Sequence, residues 1–241
     1  MHKAEKAYAM AGGALIRACL CVLLLLFGGC VYFSAHTLQG SCSNDHGSPI
    51  RNFCVVAPGV LWRGERPTRA DAEWLLKNRV GSIVSLQLDD RRAFEAATPA
   101  KDLTYSMPYF QVSGFNPFQL LSSSRMDRHV AIFLAIMNAQ PKPVYVHCRA
   151  GIDRTGVLAA AYSVLIDGAT REQAIAELAH WHSPWFRLDA KYIRGLSETR
   201  QAEILRKARD FESRLRPSAR IECANGRCAY VRTDPAASGG S

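Results

Sequence analysis

A thiol, a guanidinium, a carboxylate and a hydroxyl fall within ten consecutive residues, His147-Cys148-Arg149-Ala150-Gly151-Ile152-Asp153-Arg154-Thr155-Gly156. Val144-Tyr145-Val146 precedes them and Val157-Leu158-Ala159-Ala160-Ala161 follows, a pattern that predicts a strand, a polar loop and a helix. A helix N-terminus presents unpaired N–H groups and the positive end of its dipole, which together favour an anion such as phosphate. Cys148 closes the strand and faces that anion position. The same field stabilises a thiolate, drawing a cysteine pKa down from about 8.5 and making the sulfur a nucleophile at neutral pH. Arg154 follows after five residues, so the loop can return its guanidinium fork to two oxygens of the same phosphate. The chemistry that fits is attack of sulfur on phosphorus. The backbone N–H groups of Arg149, Ala150, Gly151, Ile152 and Thr155 would bind the phosphate oxygens, and the Thr155 hydroxyl would serve the departing sulfur. Gly151 and Gly156 permit the turn and close helix packing. His147 reads as a structural residue behind the loop, since a thiolate needs no base.

Cysteine and arginine at this spacing recur by chance, but His-Cys-x-x-Gly-x-x-Arg-Thr-Gly between a strand and a helix is specific. This stretch resembles the signature loop of the cysteine-dependent protein tyrosine and dual-specificity phosphatases, in particular their compact bacterial members. The likeness runs from Asn52-Phe53 to the helix after Asp167 and includes Pro58-Gly59-Val60-Leu61-Trp62-Arg63-Gly64 and Pro67, similar to the family's opening strand. The resemblance implies a phosphocysteine on Cys148 that water hydrolyses, with no metal and no other cofactor.

The family's general acid, an Asp on a loop about thirty residues before the Cys, has no counterpart here: Val112-Ser113-Gly114-Phe115-Asn116-Pro117-Phe118 contains no carboxylate. A departing alkoxide or phenoxide still needs a proton. Asp153 resembles the loop Asp in the Gly-x-Asp-Arg-Thr arrangement of myotubularin-like and bacterial lipid or tyrosine phosphatases, where it protonates the leaving group. A carboxylate that braces the loop through a backbone N–H is the equal alternative. Asp127, in Ser124-Arg125-Met126-Asp127, reads as a helix-capping acid, and Asp89-Asp90 as a turn.

With 241 residues, 48% of them hydrophobic, the chain can bury one core with extensions. Its formal net charge of +9 suits an anionic substrate or a membrane surface. Basic residues are dispersed rather than striped with aromatics, so nucleic-acid binding is not expected. Residues 18–35 form an apolar run near the lower limit for crossing a bilayer, preceded by His2, Lys3 and Lys6 and followed by no Lys or Arg until Arg51. Bulky Tyr32 and Phe33 argue against signal-peptide cleavage, so residues 1–39 read as an uncleaved transmembrane anchor. The positive-inside rule then exports the remaining chain. Of the 8 cysteines, three lie in the anchor. Asn225-Gly226 predicts a hairpin that sets Cys223 opposite Cys228 in a disulfide; Cys42 with Cys54 is the second pairing expected.

Residues 40–50 read as a linker, 51–216 as the catalytic domain, 217–232 as the hairpin and 233–241 as a disordered tail. Strands at Leu61 to Arg63, Ser82 to Leu86, Leu103 to Met107 and Val144 to His147 alternate with helices opened by Thr68 and Thr170 and a helix at Met126 to Asn138. This predicts an α/β fold with a mainly parallel central sheet flanked by helices. A long basic helix is expected over Tyr192 to Leu215. Trp181 to Phe186 reads as an aromatic loop over the core or a pocket wall, and Arg63 and Arg66 as surface residues within reach of the phosphate. The expected function is phosphomonoester hydrolysis on a phosphotyrosine, another phosphoprotein or a phosphoinositide-like head group. A catalytically weak phosphate-recognition module is the alternative.

Overall fold

Strand by strand, side chains alternate between two cores on opposite faces of one sheet. A computed structural model describes residues 47–87, 105–112, 123–224 and 227–233. The chain divides after Gln39 into two units, and the described residues belong to the second. Its elements begin with β1 (Cys54–Ala57), β2 (Leu61–Gly64), α1 (Arg69–Lys77), β3 (Ser82–Ser85), β4 (Tyr105–Gln111), α2 (Ser123–Ala139) and β5 (Val144–His147). They continue with α3 (Asp153–Leu165), α4 (Arg171–His180), α5 (Phe186–Arg194), α6 (Glu198–Glu212), β6 (Ala219–Ala224) and β7 (Arg227–Arg232).

The strands lie in the order β1-β2-β5-β3-β4-β6-β7. β2, β5, β3 and β4 are parallel neighbours, whereas β1 joins β2 and β6 joins β4 antiparallel, with β7 closing a hairpin on β6. The sheet is therefore mixed: the expected parallel centre is present, and hairpin-type neighbours add antiparallel strands on both sides. Leu61, Val84, Val144 and Val146 point to the face covered by α2 through α6, while Trp62, Ile83, Tyr145, Met107 and Tyr109 point to the face covered by α1, to which the hairpin adds Ala219 and Ile221. The register sets Gly64 and Ser85 beside His147, so β2, β5 and β3 end level and their outgoing loops meet at one edge. Loops gathered beyond the carboxyl ends of parallel strands are where such sheets bind ligands.

Local signals explain most helix starts. Thr68 accepts from the Asp71 N–H and Asp71 bonds back to the Thr68 N–H, and Thr170 forms the same box with Gln173. The helix expected over Tyr192 to Leu215 is instead two. Leu196 turns into the core after Arg194, and Ser197 starts α6 by accepting from the Arg200 N–H. A serine cap inside an amphipathic pattern divides a helix that periodicity alone would continue.

Asp127 also departs from its expected role. It lies past the first turn of α2 and is buried. Arg200 of α6 donates to it through Nε at 2.9 and 3.1 Å and through Nη2 at 2.7 Å, and the Tyr192 hydroxyl of α5 donates at 2.9 Å. It is an ion-pair centre joining three helices rather than a cap.

The Cys223–Cys228 disulfide is present, the two residues facing each other across the hairpin with Cα atoms 4.1 Å apart. Cys54 is also disulfide-bonded, and Cys148 is the free cysteine among the described residues. Among those residues no helix is long and apolar enough to cross a membrane. The expected anchor at 1–39, Cys42, the Asn225-Gly226 turn and residues 234–241 lie outside them.

Asp127→Ala would leave a part-buried guanidinium and a buried phenol without their carboxylate, a loss of about 3 kcal/mol. Urea unfolding should show that loss as a lower midpoint at unchanged slope. A loss near 1 kcal/mol, about the size of a missing cap, would contradict the ion-pair role.

Candidate active site

The loop between β5 and α3 is held by its carbonyls. Arg149 O accepts from the Arg66 N–H at 3.3 Å, and Ala150 O from Asn52 Nδ2 at 2.8 Å. Gly151 O and Ile152 O both accept from Arg63 Nη2, at 2.6 and 3.3 Å. In a trans peptide the carbonyl of one residue and the N–H of the next point in opposite directions. Four successive carbonyls drawn back therefore turn the N–H groups of Ala150, Gly151, Ile152 and Asp153 to the opposite side. In α3 the first intrahelical bond comes from Gly156 N to Ile152 O, so Arg154 and Thr155 add further N–H groups of a helix start that no side chain caps.

Gly151 has φ +72, and a Cβ there would strike the Gly64 backbone, so the loop lies directly on the end of β2. A Cβ on Gly156 would come within 3.2 Å of Leu178 Cδ2 and 3.6 Å of Arg63 Nη2. Asn52 itself holds a left-handed backbone (φ 52), which aims its amide at Ala150.

Arg63 lies inside the protein, not on the surface as expected. It is 1% exposed, and its guanidinium sits 4.4 Å from the centre of the Trp181 ring. Burial lowers its pKa to about 10, and the nearby Cys148 acts in the opposite direction, so it remains a cation at neutral pH. Arg66 contributes its backbone N–H to the loop. Trp181 thus covers the rear of the loop, which assigns that end of the aromatic segment to packing.

Cys148 is buried at the end of β5, while Arg149 and Ala150 are exposed. Arg154 Nη1 donates to Leu86 O at 2.6 Å, which fixes the guanidinium against the end of β3. The Thr155 hydroxyl is buried and has no hydrogen-bond partner among the described residues, the Cys148 sulfur included. His147 is buried with its ring stacked on Tyr145, as expected of a residue behind the loop.

Asp153 opens α3, half-buried, and its Oδ1 accepts from the Ser183 hydroxyl at 2.6 Å. Ser183 Oγ is also 3.3 Å from Oδ2 of Asp189, a residue of α5 that is 1% exposed. Burial pushes the Asp189 carboxyl up to about 7, with the Asp153 charge adding to the rise and the Ser183 bond opposing it. The carboxylate of Asp153 thus bonds a side-chain hydroxyl from the segment before α5. Asp89, Asp90 and positions 113–118 lie outside the described residues.

Sequence reasoning passed over Ser183 and Asp189. The one available signal was an acidic residue beside Ala190 on the apolar face of α5, between that face and the loop.

N–H groups turned forward beside a thiol, an uncapped helix start and an arginine at the same edge form a site that suits an anion, the arrangement expected of a cysteine-dependent phosphatase. A family model described as DSP-PTPase phosphatase fused to NAD+ kinase matches residues 55–183, more than half of the chain, and the chain belongs to that family. The dual specificity protein phosphatase TpbA of Pseudomonas aeruginosa is 27% identical over 134 residues, 55% of this chain and 55% of TpbA. The chain therefore spans about half the length of the curated relatives it matches. The crystal structure of P. aeruginosa TpbA aligns with a TM-score of 0.46 at 22% identity, over 64% of this chain and 91% of that one. The catalytic core of the PP-IP phosphatase SIW14 from S. cerevisiae aligns at 0.45 and 21%, over 67% and 94%.

Two outcomes follow from this geometry. Arg63→Met removes the donor to two loop carbonyls, and inorganic phosphate titrated calorimetrically into the variant should bind at least about tenfold more weakly. Unchanged binding in folded variant would mean that Arg63 does not shape the loop. The raised Asp189 pKa has a definite sign: the native state binds a proton that the unfolded chain, near about 3.9, has released, so stability falls as pH rises from about 4 to about 7. Urea midpoints of wild type and Asp189→Asn should diverge across that range, the variant losing less stability at pH 8; parallel midpoints would contradict the buried acid.

Proposed function

We propose that this chain hydrolyses phosphomonoesters through a phosphocysteine on Cys148. The observation that carries the reading is the set of four carbonyls, residues 149 to 152, drawn back by Arg66, Asn52 and Arg63 so that their neighbouring N–H groups face forward. The phosphate oxygens take those N–H groups, and the Arg154 fork holds the charge as it shifts during transfer. The Cys148 sulfur attacks phosphorus in line with the ester oxygen. The S–P bond forms, the P–O bond breaks, and Asp153 protonates the departing oxygen. Water then attacks the phosphocysteine, giving a proton to Asp153 and freeing the sulfur. The Thr155 hydroxyl, buried with no bond among the described residues, is available to the leaving thiolate.

Family membership supports the phosphatase reading, and the name of the TpbA relative supports a phosphoprotein as substrate. A phosphoinositide-like head group fits the same cradle. Phosphate release by the full chain, compared with Cys148→Ser, should be measured over phosphotyrosine peptides, phosphoserine peptides and phosphoinositides. Turnover on at least one class, abolished by Cys148→Ser, is expected and ranks the substrates. Phosphate binding with no turnover by folded protein whose Cys148 is reduced would replace the enzyme with a phosphate-recognition module.

A further inference from the structure

Ser183 lies among three polar partners but has a single hydroxyl proton. Its Oγ is 2.6 Å from Asp153 Oδ1, 3.3 Å from Asp189 Oδ2 and 3.1 Å from the Trp185 N–H, from which it accepts. A serine hydroxyl has one proton to give and two lone pairs to receive. The 2.6 Å contact has the length of a bond to a charged carboxylate, so the proton points at Asp153. Trp185 takes one lone pair. The remaining lone pair faces Asp189, and two oxygens without a proton between them would repel. The cluster is satisfied when Asp189 is a carboxylic acid donating to Ser183. Its burial agrees, and raises its pKa to about 7 even with the Ser183 hydroxyl turned toward it as a donor; Asp153 is the charged group that acts on it.

We propose that Asp189 and Ser183 are positioning residues that store a proton and deliver it to Asp153. This rests on the reading of Asp153 as the general acid. A protonated Asp189 behind Ser183 can replace, through the shared hydroxyl, the proton that Asp153 gives to the ester oxygen. In delivery the Asp189 O–H bond breaks as its proton moves to Ser183 Oγ. The Ser183 proton moves to Asp153 Oδ1, and Asp189 is left as the carboxylate. Asp153 passes the proton to the ester oxygen as the P–O bond breaks. In the second half of the cycle the attacking water loses a proton to Asp153, and the chain runs backwards to restore the Asp189 acid. Over a turnover the enzyme gains and loses nothing.

The test uses the full chain and a series of phosphomonoesters running from dinitrophenyl to phenyl to alkyl phosphate. Asp189→Asn keeps a donor to Ser183 but has no proton to transfer, Ser183→Ala breaks the bridge, and Ser183→Thr retains the hydroxyl. Asp189→Asn and Ser183→Ala should lower kcat at least about tenfold for phenyl phosphate and less than about twofold for dinitrophenyl phosphate. Both should move the basic limb of the pH profile to lower pH, and Ser183→Thr should keep wild-type behaviour. Infrared spectra should contain a protonated-carboxyl C=O stretch at neutral pH that is missing in Asp189→Asn. Wild-type leaving-group dependence and pH profile in Asp189→Asn, alongside a steep dependence in Asp153→Asn, would overturn the relay and leave the acid role standing. A flat dependence in Asp153→Asn would overturn the acid role and the relay with it.

Discussion

A buried cation behind the loop is the constraint on which the site depends. Arg63 reaches Gly151 O and Ile152 O from the end of β2, and its position is possible because Gly151 lies on the β2 backbone and Gly156 brings α3 close to the guanidinium. An unpaired cation would not stay buried there. Two carbonyl dipoles and the Trp181 ring accommodate it. The relation is mutual: the cation orients the amides that would receive a phosphate, and negative charge gathered in the loop favours the cation beneath it.

The rest of the fold keeps this contact in register. Parallel pairing sets the ends of β2, β5 and β3 at one level, so Arg63, Cys148 and the Leu86 carbonyl that fixes Arg154 come from three neighbouring strands at a common edge. On the helical face, the Asp127, Arg200 and Tyr192 cluster ties α2, α5 and α6 together. α5 in turn carries Asp189 to Ser183, which bonds the first residue of α3. The helices after the signature loop therefore brace its α3 end, as Arg63 holds its carbonyls.

Much of this was legible in residue order because the responsible interactions are local. The strand, loop and helix around Cys148, the caps at Thr68 and Thr170, and the Cys223 to Cys228 pairing each follow from residues a few positions apart. What escaped is carried by contacts between distant segments. Arg63 sits 88 residues from Gly151 and Asp153 30 residues from Ser183, and nothing within either local window marks an arginine as buried or a serine as a bridge. Asp127 looked like a capping acid because its partner is 73 residues away. The split between α5 and α6 was hidden for the opposite reason, a local serine cap lying within a regular amphipathic pattern.

The sheet's neighbour relations also bear on how the chain is made. β4 lies between β3 and β6, and β6 follows it in sequence only after α2, β5 and four further helices. While the polypeptide emerges from the ribosome, Tyr105 to Gln111 therefore has one flank paired and the other open until Ala219 to Ala224 has been translated. An open strand flank is a template for pairing with another chain. The C-terminal hairpin is then the last-made part of the sheet and the part that seals it, so a chain that terminates after α6 carries the loop around Cys148 on a sheet left unfinished.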